Sequence, residues 1–289
     1  MSLIEPVIRP PSEANSFLLQ VTLGCSQNTC AFCGAYQDKP FKFKNIQEIE
    51  KDIDYGSKLY PETKRVFLCD GDALVLSNSK LIPILEKLNA TFPNLGRISS
   101  YANAQNILNK SESELKELYD NKLKLIFIGL ESGHDQILKK MNKKANAQEM
   151  IDAVLKAKAA GIKSHIIVLL GLGQSQDSFE HAKVSAQVVN QMNPRYISLL
   201  SLMLIPGTKL FNDYQEGKFK KLTPQELLQE TYWFLEDLTV QNTIFRCNHA
   251  SNYIPLEGRL PQNKDNLLKT IQAGIAGTIG LKPEIFRGL

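Results

Sequence analysis

Three of the five cysteines lie in one short polar loop, which constrains the chain more than any other feature. Cys25, Cys30 and Cys33 follow an apolar run with the spacing C-x4-C-x2-C. The polar residues between them argue against thiols that only pack in a core. Cysteine thiolates hold iron–sulfur clusters in this way. A zinc site would need a fourth ligand, and the nearest candidates, Cys69 and His134, are distant in sequence. The loop therefore predicts a metal centre and favours an iron–sulfur cluster.

Apolar runs rich in β-branched residues alternate with longer amphipathic segments along most of the chain. Predicted strands are 17–23, 65–68, 97–100, 123–130, 163–170 and 195–201, and predicted helices are 46–59, 80–90, 111–121, 147–160 and 177–192. This alternation predicts parallel βαβ units, as in a doubly wound sheet or a barrel. The first strand leads into cysteines rather than the G-x-G-x-x-G of a dinucleotide-binding fold.

Small and polar residues follow each predicted strand. They are Cys69-Asp70-Gly71-Asp72, Ser99-Ser100-Tyr101-Ala102-Asn103, Gly129-Leu130-Glu131-Ser132-Gly133-His134, Gly171-Leu172-Gly173 and Pro206-Gly207-Thr208. In barrels of this kind the chemistry lies at the carboxyl ends of the strands. A carboxylate buried at such a place needs a partner, because an unpaired buried charge is costly.

The cysteine loop resembles the cluster loop of the radical S-adenosylmethionine (radical SAM) superfamily. That family has an aromatic residue just before its third cysteine, where this chain has Phe32. Its commonest loop has three residues between the first two cysteines, whereas this chain has four. The segments that follow the later strands are similar to family motifs, so the resemblance covers roughly residues 16–215. It implies an α/β fold, a partial (β/α)6 TIM-type barrel with a C-terminal α/β extension.

The resemblance also implies the cofactors and the activity. Cys25, Cys30 and Cys33 would hold a [4Fe–4S] cluster whose open iron binds S-adenosylmethionine (SAM). With one electron from flavodoxin or ferredoxin, SAM would be cleaved to a 5′-deoxyadenosyl radical that takes hydrogen from a substrate. The candidate SAM-binding residues are Phe32, Asp70, Gly71, Asp72, Ser100, Asn103, Glu131, Gly171 and Gly173.

The predicted domains are an extended lead-in at 1–15, the barrel core at 16–215 and an extension at 216–289. The extension carries a short strand and a loop dense in donors and acceptors. Its candidate substrate contacts are Arg246, Asn248, His249, Asn252 and Tyr253. A hydrogen-bonded structural loop is an equally good interpretation of the same residues.

Composition narrows the class of protein further. The formal charge of +4 is small for 289 residues and is scattered, so nucleic acid is not indicated. We expect neither a secretory signal nor a membrane span, since no sufficiently long apolar run is present. An odd number of cysteines, three of them clustered, indicates a reducing compartment, so we expect a cytoplasmic protein.

Several alternatives stay open at this stage. A ferredoxin-like electron carrier would use Cys69 as the fourth ligand of a [2Fe–2S] cluster, although the chain length and the helix–strand alternation disfavour it. A zinc-bearing nucleic-acid module is disfavoured by the weak charge. Within the radical SAM family we expect a small-molecule substrate, with modification of RNA or a peptide as the alternative. The roles of Cys69 and Cys247 stay undetermined, and the basic run 139–144 is interpreted as a solvated helix end.

Overall fold

The computed structural model describes residues 3–288. The helices are α1 Ile46–Leu59, α2 Asn78–Thr91, α3 Ala104–Leu108, α4 Glu112–Asp120, α5 Asp135–Lys140, α6 Ala147–Ala159, α7 Gln174–Met192, α8 Lys209–Gln215, α9 Pro224–Asp237 and α10 Lys264–Ile275. The strands are β1 Phe17–Gln20, β2 Thr22–Leu23, β3 Lys42–Phe43, β4 Arg65–Cys69, β5 Arg97–Ala102, β6 Leu123–Glu131, β7 Lys163–Leu170, β8 Tyr196–Ser201, β9 Thr243–Arg246 and β10 Glu257–Leu260.

Eight strands form one mostly parallel sheet, in the order β1-β4-β5-β6-β7-β8-β9-β10. Strand β8 pairs in parallel with β7 and β9, and the final pair, β9 with β10, is antiparallel. Strands that alternate with helices and pair in this order have the topology of a partial β/α barrel. The predicted fold class is thereby confirmed, and the C-terminal segment extends the sheet with β9 and β10.

The chain forms two compact units. The first contains residues 3–28, 35–128 and 152–164, and the second contains residues 29–34, 129–151 and 165–288. The cysteine loop therefore leaves the first unit after Asn28 and returns to it at Ala35. The predicted boundaries after residues 15 and 215 stay predictions.

The core of the first unit is built around β4. Val66, Phe67 and Leu68 are fully buried, as expected for a strand of a parallel sheet that is covered on both faces. The Phe67 ring packs edge-on against Tyr101 and Phe127, with centroids 5.2 and 5.7 Å away. These aromatic contacts join β4, β5 and β6 on one face of the sheet.

The predicted strand at 17–23 is two strands in the structure. Strand β1 pairs in parallel with β4 and ends at Gln20, whereas β2 pairs antiparallel with β3. The backbone of Val21 accepts a hydrogen bond from the Lys44 amide. The chain therefore leaves the parallel sheet just before the cysteine loop, which the continuous apolar pattern could not reveal.

Helix α9 packs against both α7 and α10 in the second unit. Thr223 begins α9 with a capping box that includes Glu226, and Pro224 occupies the first helical position. In the first unit, the capping box predicted at Ser111 is present at the start of α4. No helix among the described residues is long and apolar enough to cross a membrane.

Gly56 of α1 lies against the ring of Phe17, so this contact is a test of core packing. A Cβ atom at Gly56 would lie 2.4 Å from Phe17 Cζ. Alanine favours a helix over glycine by about 1 kcal/mol, but overpacking a core costs about 1–3 kcal/mol. We expect Gly56→Ala to lower the free energy of unfolding by about 1–2 kcal/mol, measured by urea denaturation.

Gly96→Ala is the matched control for this substitution. A Cβ atom there would meet only the Lys64 carbonyl oxygen, at 3.8 Å. Its effect should stay within about 0.5 kcal/mol. Equal or greater stability of Gly56→Ala than of the natural chain would show that the Phe17 ring moves aside without cost.

Candidate active site

Asp70 fixes the start of the cysteine loop in the first unit. Its buried carboxylate accepts a hydrogen bond from the Gly24 amide at 2.9 Å and from Gln20 Nε2 at 3.1 Å. The ammonium of Lys39, itself buried, lies 2.6 Å from Asp70 Oδ2. The backbone of Asp70 is left-handed, with φ of 68°. In the structure the Asp70 carboxylate holds the start of the loop, and its contact with SAM stays a prediction.

Gly71 allows Cys25 to pack directly against the end of β4. Its amide donates to the Gly24 carbonyl at 2.8 Å. A Cβ atom at position 71 would lie 2.4 Å from Cys25 Cβ and 2.5 Å from Cys25 Cα. Any larger residue would therefore displace the first cysteine of the loop.

Asp72 is a fully buried carboxylate with one unsatisfied oxygen. Its Oδ2 accepts hydrogen bonds from Ser26 Oγ at 2.5 Å and from Asn103 Nδ2, whereas its Oδ1 has no partner among the described residues. Burial raises the pKa of Asp72 to about 6, and the polar side chains of Ser26, Asn106 and Asn103 oppose that rise because they favour the charged carboxylate. A buried acceptor without a partner is costly, so this oxygen is suited to a donor from a ligand.

Two further candidates of the first unit belong to β5, since Ser100 lies in the strand and Asn103 directly follows it. Asn103 Oδ1 accepts from the Asn106 amide at 3.0 Å and so caps α3, while its Nδ2 faces Asp72. Ser100 is buried, and its hydroxyl donates to the Tyr101 carbonyl at 2.8 Å. Asn103 therefore lies beside the unsatisfied carboxylate, and Ser100 has a local backbone partner.

The cysteines divide into two groups by burial. Cys25, Cys30 and Cys33 are partly exposed thiols outside disulfide bonds, whereas Cys69 and Cys247 are buried. Burial raises the pKa of the Cys69 thiol far above its usual range and that of Cys247 to about 12. Accessible thiols form thiolates and bind soft metals, and buried ones are inert. The donor set of the loop thus fits a cluster, and Cys69 does not suit the fourth-ligand role.

The described residues contain no group of three His, Cys, Asp or Glu side chains that could hold a metal ion. The role of the three loop cysteines as cluster ligands therefore stays a prediction, based on their spacing and accessibility.

The middle of the loop is held by the second unit. The Ala31 amide donates to the Met141 carbonyl at 2.9 Å, and the Ala31 carbonyl accepts from the Leu210 amide at 2.8 Å. Asn142 Nδ2 donates to the Thr29 carbonyl at 2.8 Å. Phe32 packs against a buried apolar cluster of Ala31, Ile137, Met141, Leu172, Leu202, Leu210 and Phe219. These contacts give the segment around Cys30 and Cys33 a defined backbone position.

Glu131, at the end of β6, pairs with a lysine. Lys143 Nζ lies 3.1 Å from Glu131 Oε1, and both side chains are nearly buried, with 11% and 13% exposed. A Cβ atom at Gly129 would lie 2.0 Å from Glu131 Oε1. A side chain at position 129 would therefore collide with the Glu131 carboxylate, which explains the glycine two residues before it.

The turn at Gly171 is held by a buried glutamate of α9. Gly171 has φ of 92°, and its amide donates to Glu230 Oε1 at 2.8 Å. Glu230 is fully buried. Its Oε2 accepts a hydrogen bond from the Ser178 hydroxyl, and its Oε1 lies 3.0 Å from His181 Nδ1. The turn that ends β7, including Gly173 before α7, is thus fixed by the C-terminal extension.

The five candidate substrate contacts all have partners inside the second unit. Arg246 and Asn248 both reach Glu257, and His249 Nδ1 lies 2.9 Å from the Ser251 hydroxyl.

Asn252 is buried and bridges Ser201 and the Leu199 carbonyl. The Tyr253 hydroxyl donates to Glu284 at 2.5 Å and lies beside Arg287. The contacts of Asn252 and Tyr253 match the interpretation of this segment as a hydrogen-bonded structural loop.

The sequence pattern missed four residues that support the site. Lys39 forms an ion pair with Asp70, and Ser26 donates a hydrogen bond to Asp72. Lys143 forms an ion pair with Glu131, and Glu230 accepts a hydrogen bond from the Gly171 amide. Lys143 was part of a run interpreted as solvated, Ser26 lies inside the cysteine loop, and Lys39 and Glu230 belong to no motif. The requirement that buried carboxylates be paired was the one signal that called for such partners.

The chain combines a partial β/α barrel with a polar three-cysteine loop that follows its first strands. The sequence model of the radical SAM superfamily matches residues 19–183. The chain belongs to the radical SAM superfamily, whose members use a [4Fe–4S] cluster and SAM. This result removes the ferredoxin-like and zinc-module alternatives.

Known relatives are distant. The chain is 23% identical over 211 residues to the heme chaperone HemW of Bacillus subtilis, covering 71% of this chain and 55% of that protein. The chain therefore spans little more than half the length of that relative.

Solved structures of the superfamily share the fold. Coproporphyrinogen III oxidase (HemN) from Escherichia coli has a TM-score of 0.54 and 16% identity, covering 76% of this chain and 52% of that chain. The methyltransferase TsrM from Kitasatospora setae, with cobalamin and a [4Fe–4S] cluster bound, has a TM-score of 0.57 and 12% identity, covering 72% and 41%. At this identity the likeness shows the fold alone.

Gly71→Ala should impair cluster assembly, because its Cβ would collide with the backbone and Cβ of Cys25. Real side chains do not tolerate such contacts, so Cys25 must shift by about 1 Å, a large error for a metal ligand. We expect less than about half of the natural iron content per chain after anaerobic reconstitution.

Gly96→Ala serves again as the control, and iron, sulfide and melting temperature are measured for both variants. Full iron content in folded Gly71→Ala protein would contradict the argument.

Proposed function

We propose that the chain reductively cleaves SAM and uses the resulting radical to take hydrogen from a small-molecule substrate. When bound, the reduced cluster supplies the electron that splits SAM into methionine and the 5′-deoxyadenosyl radical. The electron is proposed to come from flavodoxin or ferredoxin. The protein's own part is to hold the reactants in position and to exclude water from a reactive species.

The unsatisfied Oδ1 of Asp72 is the observation that carries this proposal. The same carboxylate accepts a hydrogen bond from Ser26, the residue after Cys25, so it is tied to the cluster loop itself. A buried carboxylate with a free oxygen at that place suits the ammonium group of an amino acid, such as the methionine part of SAM. Asp72 is thus our proposed ammonium contact, and Asn103 is its positioning partner.

Other proposed roles follow from the second unit. Gly171 and Gly173 are proposed to contact adenine through their backbone. Protein atoms occupy the space on their side-chain side, since a Cβ atom at Gly173 would lie 2.9 Å from the Asp177 carbonyl oxygen and one at Gly171 would lie 3.3 Å from Leu227 Cδ2. Glu131 and Lys143 form a pair that can meet the methionine or ribose part of SAM. Cys25, Cys30 and Cys33 are the proposed cluster ligands, and Phe32 is proposed to shield the cluster from solvent.

The substrate class is proposed from the proteins that the chain resembles in sequence. The similarity to proteins named heme chaperones makes a tetrapyrrole one candidate among small molecules. Modification of RNA or a peptide is the alternative, and no observation on the described residues favours it. A metabolite screen under reducing, anaerobic conditions would report the substrate directly.

Anaerobically reconstituted protein should release 5′-deoxyadenosine from SAM in the presence of dithionite. Cys30→Ala should reduce this release by at least about a hundredfold, because two thiolates hold a cubane poorly. Cys69→Ala, which removes a buried thiol, is the matched control and should retain release within about threefold. Chromatography of the quenched reaction measures the product. The proposal fails if the natural chain and Cys30→Ala release equal amounts.

SAM binding should weaken as the pH falls through about 6, where Asp72 becomes protonated in the unbound protein. The ammonium group favours the ionised carboxylate, so binding lowers the pKa of Asp72. At about pH 5.5 only about a quarter of Asp72 is ionised, and the dissociation constant should be about fourfold higher than at about pH 7.5.

Asp72→Asn should bind SAM more weakly and should lose this pH dependence. Asp38→Asn, which changes an exposed carboxylate beside the loop, should behave as the natural chain. Calorimetric titration measures both. A pH dependence that persists in Asp72→Asn protein would assign it to another group.

A further inference from the structure

Strand β9 presents its two faces to different surroundings. Phe245 is fully buried, and Cys247, directly after the strand, lines a small cavity with residues of α9. Side chains alternate along a strand, so Arg246 lies on the face opposite α9. The antiparallel register places Glu257 of β10 beside it on that same face. Arg246 is therefore a charged residue on the sheet face that α9 does not cover.

The guanidinium of Arg246 is held in one orientation. Its Nε donates to Glu257 Oε1 at 3.1 Å, and Asn248 Nδ2 donates to Glu257 Oε2 at 3.0 Å. The guanidinium carbon lies 5.5 Å from the centre of the Tyr196 ring. A carboxylate on one side and an aromatic ring on the other thus position the group before any ligand arrives.

Two guanidinium groups, those of Arg246 and Arg195, lie near the Tyr196 ring. The ring of His165 stacks on Tyr196 at 5.4 Å, and the guanidinium of Arg195 lies 5.6 Å from the same ring. Burial, together with the charge of Arg246, lowers the pKa of His165 to about 3, so this imidazole is neutral near pH 7. Glu257 is the acidic group paired with Arg246, and it is half exposed to solvent.

The terminal nitrogens of Arg246 have no partner. Glu257 is bonded to Nε, and neither Nη1 nor Nη2 donates to any group among residues 3–288. The Arg246 side chain is 24% exposed, so solvent or a ligand reaches it. Two parallel N–H groups in a fixed plane match the geometry of a carboxylate or a phosphate.

We propose that the Nη1–Nη2 fork of Arg246 binds an anionic group, a carboxylate or a phosphate, of the substrate. The inference rests on the proposed function, since it takes this face as the substrate side of the enzyme, and it narrows the substrate to an anion. Glu257, Asn248 and Tyr196 are positioning residues, because they hold the guanidinium and leave its fork open.

The test uses three small probes of similar size: benzoate, phenyl phosphate and neutral benzamide. Binding to reconstituted protein is measured by ligand-observed NMR. We expect at least one anion to bind at least about tenfold more tightly than benzamide, as charge-assisted hydrogen bonds predict. The preferred anion tells whether the site recognises a carboxylate or a phosphate. Equal binding of all three probes, or no binding of either anion, would overturn the proposal.

Two substitutions assign the effect to the fork. Arg246→Gln should weaken binding of the preferred anion about tenfold or more and leave benzamide unchanged, and Arg246→Lys should retain part of the affinity. Arg259→Gln is the matched control, because Arg259 lies opposite Ile244 in the same hairpin and carries the same charge. If Arg259→Gln loses as much affinity for the preferred anion as Arg246→Gln, the attraction is nonspecific and the proposal is contradicted.

The melting temperature of each variant shows whether it is folded, and Arg246→Lys keeps the test valid if Arg246→Gln is unstable. Failure of the two proposals can be told apart. Absence of 5′-deoxyadenosine from the natural chain contradicts SAM cleavage, whereas loss of anion discrimination contradicts the role of Arg246 even if SAM is cleaved.

Discussion

The ion pair between Asp70 and Lys39 connects the cysteine loop to the sheet, and the local arrangement of the first unit depends on it. A buried carboxylate without a partner costs several kcal/mol, so both charges must be present together. Asp70 also accepts from the Gly24 amide and from Gln20, while Lys39 donates to the carbonyls of Ile4 and Pro6. One pair of charges therefore fixes the end of β1, the start of the loop and the N-terminal segment. Because each of these groups needs the others, the loop has one stable position.

Asp70 and Asp72 show how two carboxylates in one turn acquire different roles. Asp70 has a cation and two further donors, so nothing in its surroundings calls for a ligand. Asp72 has only neutral donors on one oxygen and none on the other, and burial raises its pKa to about 6. Gly71 between them packs on Cys25. The end of β4 thus carries three residues with different roles. Asp70 stabilises the loop, Gly71 lets Cys25 pack closely, and Asp72 has a carboxylate oxygen available to a ligand.

Most of the fold could be predicted from the sequence, because periodic apolar segments report burial directly. Helix α1 begins at Ile46 and ends at Leu59, as the pattern predicts. Short elements such as β3 and α3 were missed, since two to five residues carry no periodic signal. For the site, the spacing of residues in the sequence indicated the cysteines and the strand ends. Lys39, Lys143 and Glu230 were identified only from their contacts in the structure. Such partners come together only through tertiary packing, which no local pattern encodes.

The C-terminal loop illustrates the same limit for substrate recognition. Five polar residues there were equally plausible from sequence, because donors and acceptors look alike before their partners are known. Asn252 supports β8 by accepting from the Ser201 amide, and Tyr253 supports the tail through Glu284 and Arg287. Arg246 differs, since its one ion pair leaves two donors of a fixed fork unused. A charged group held in place with spare donors binds an anion at a low entropic cost. The proposed substrate contact is therefore one residue rather than a whole loop segment, and the substrate group that it binds is an anion.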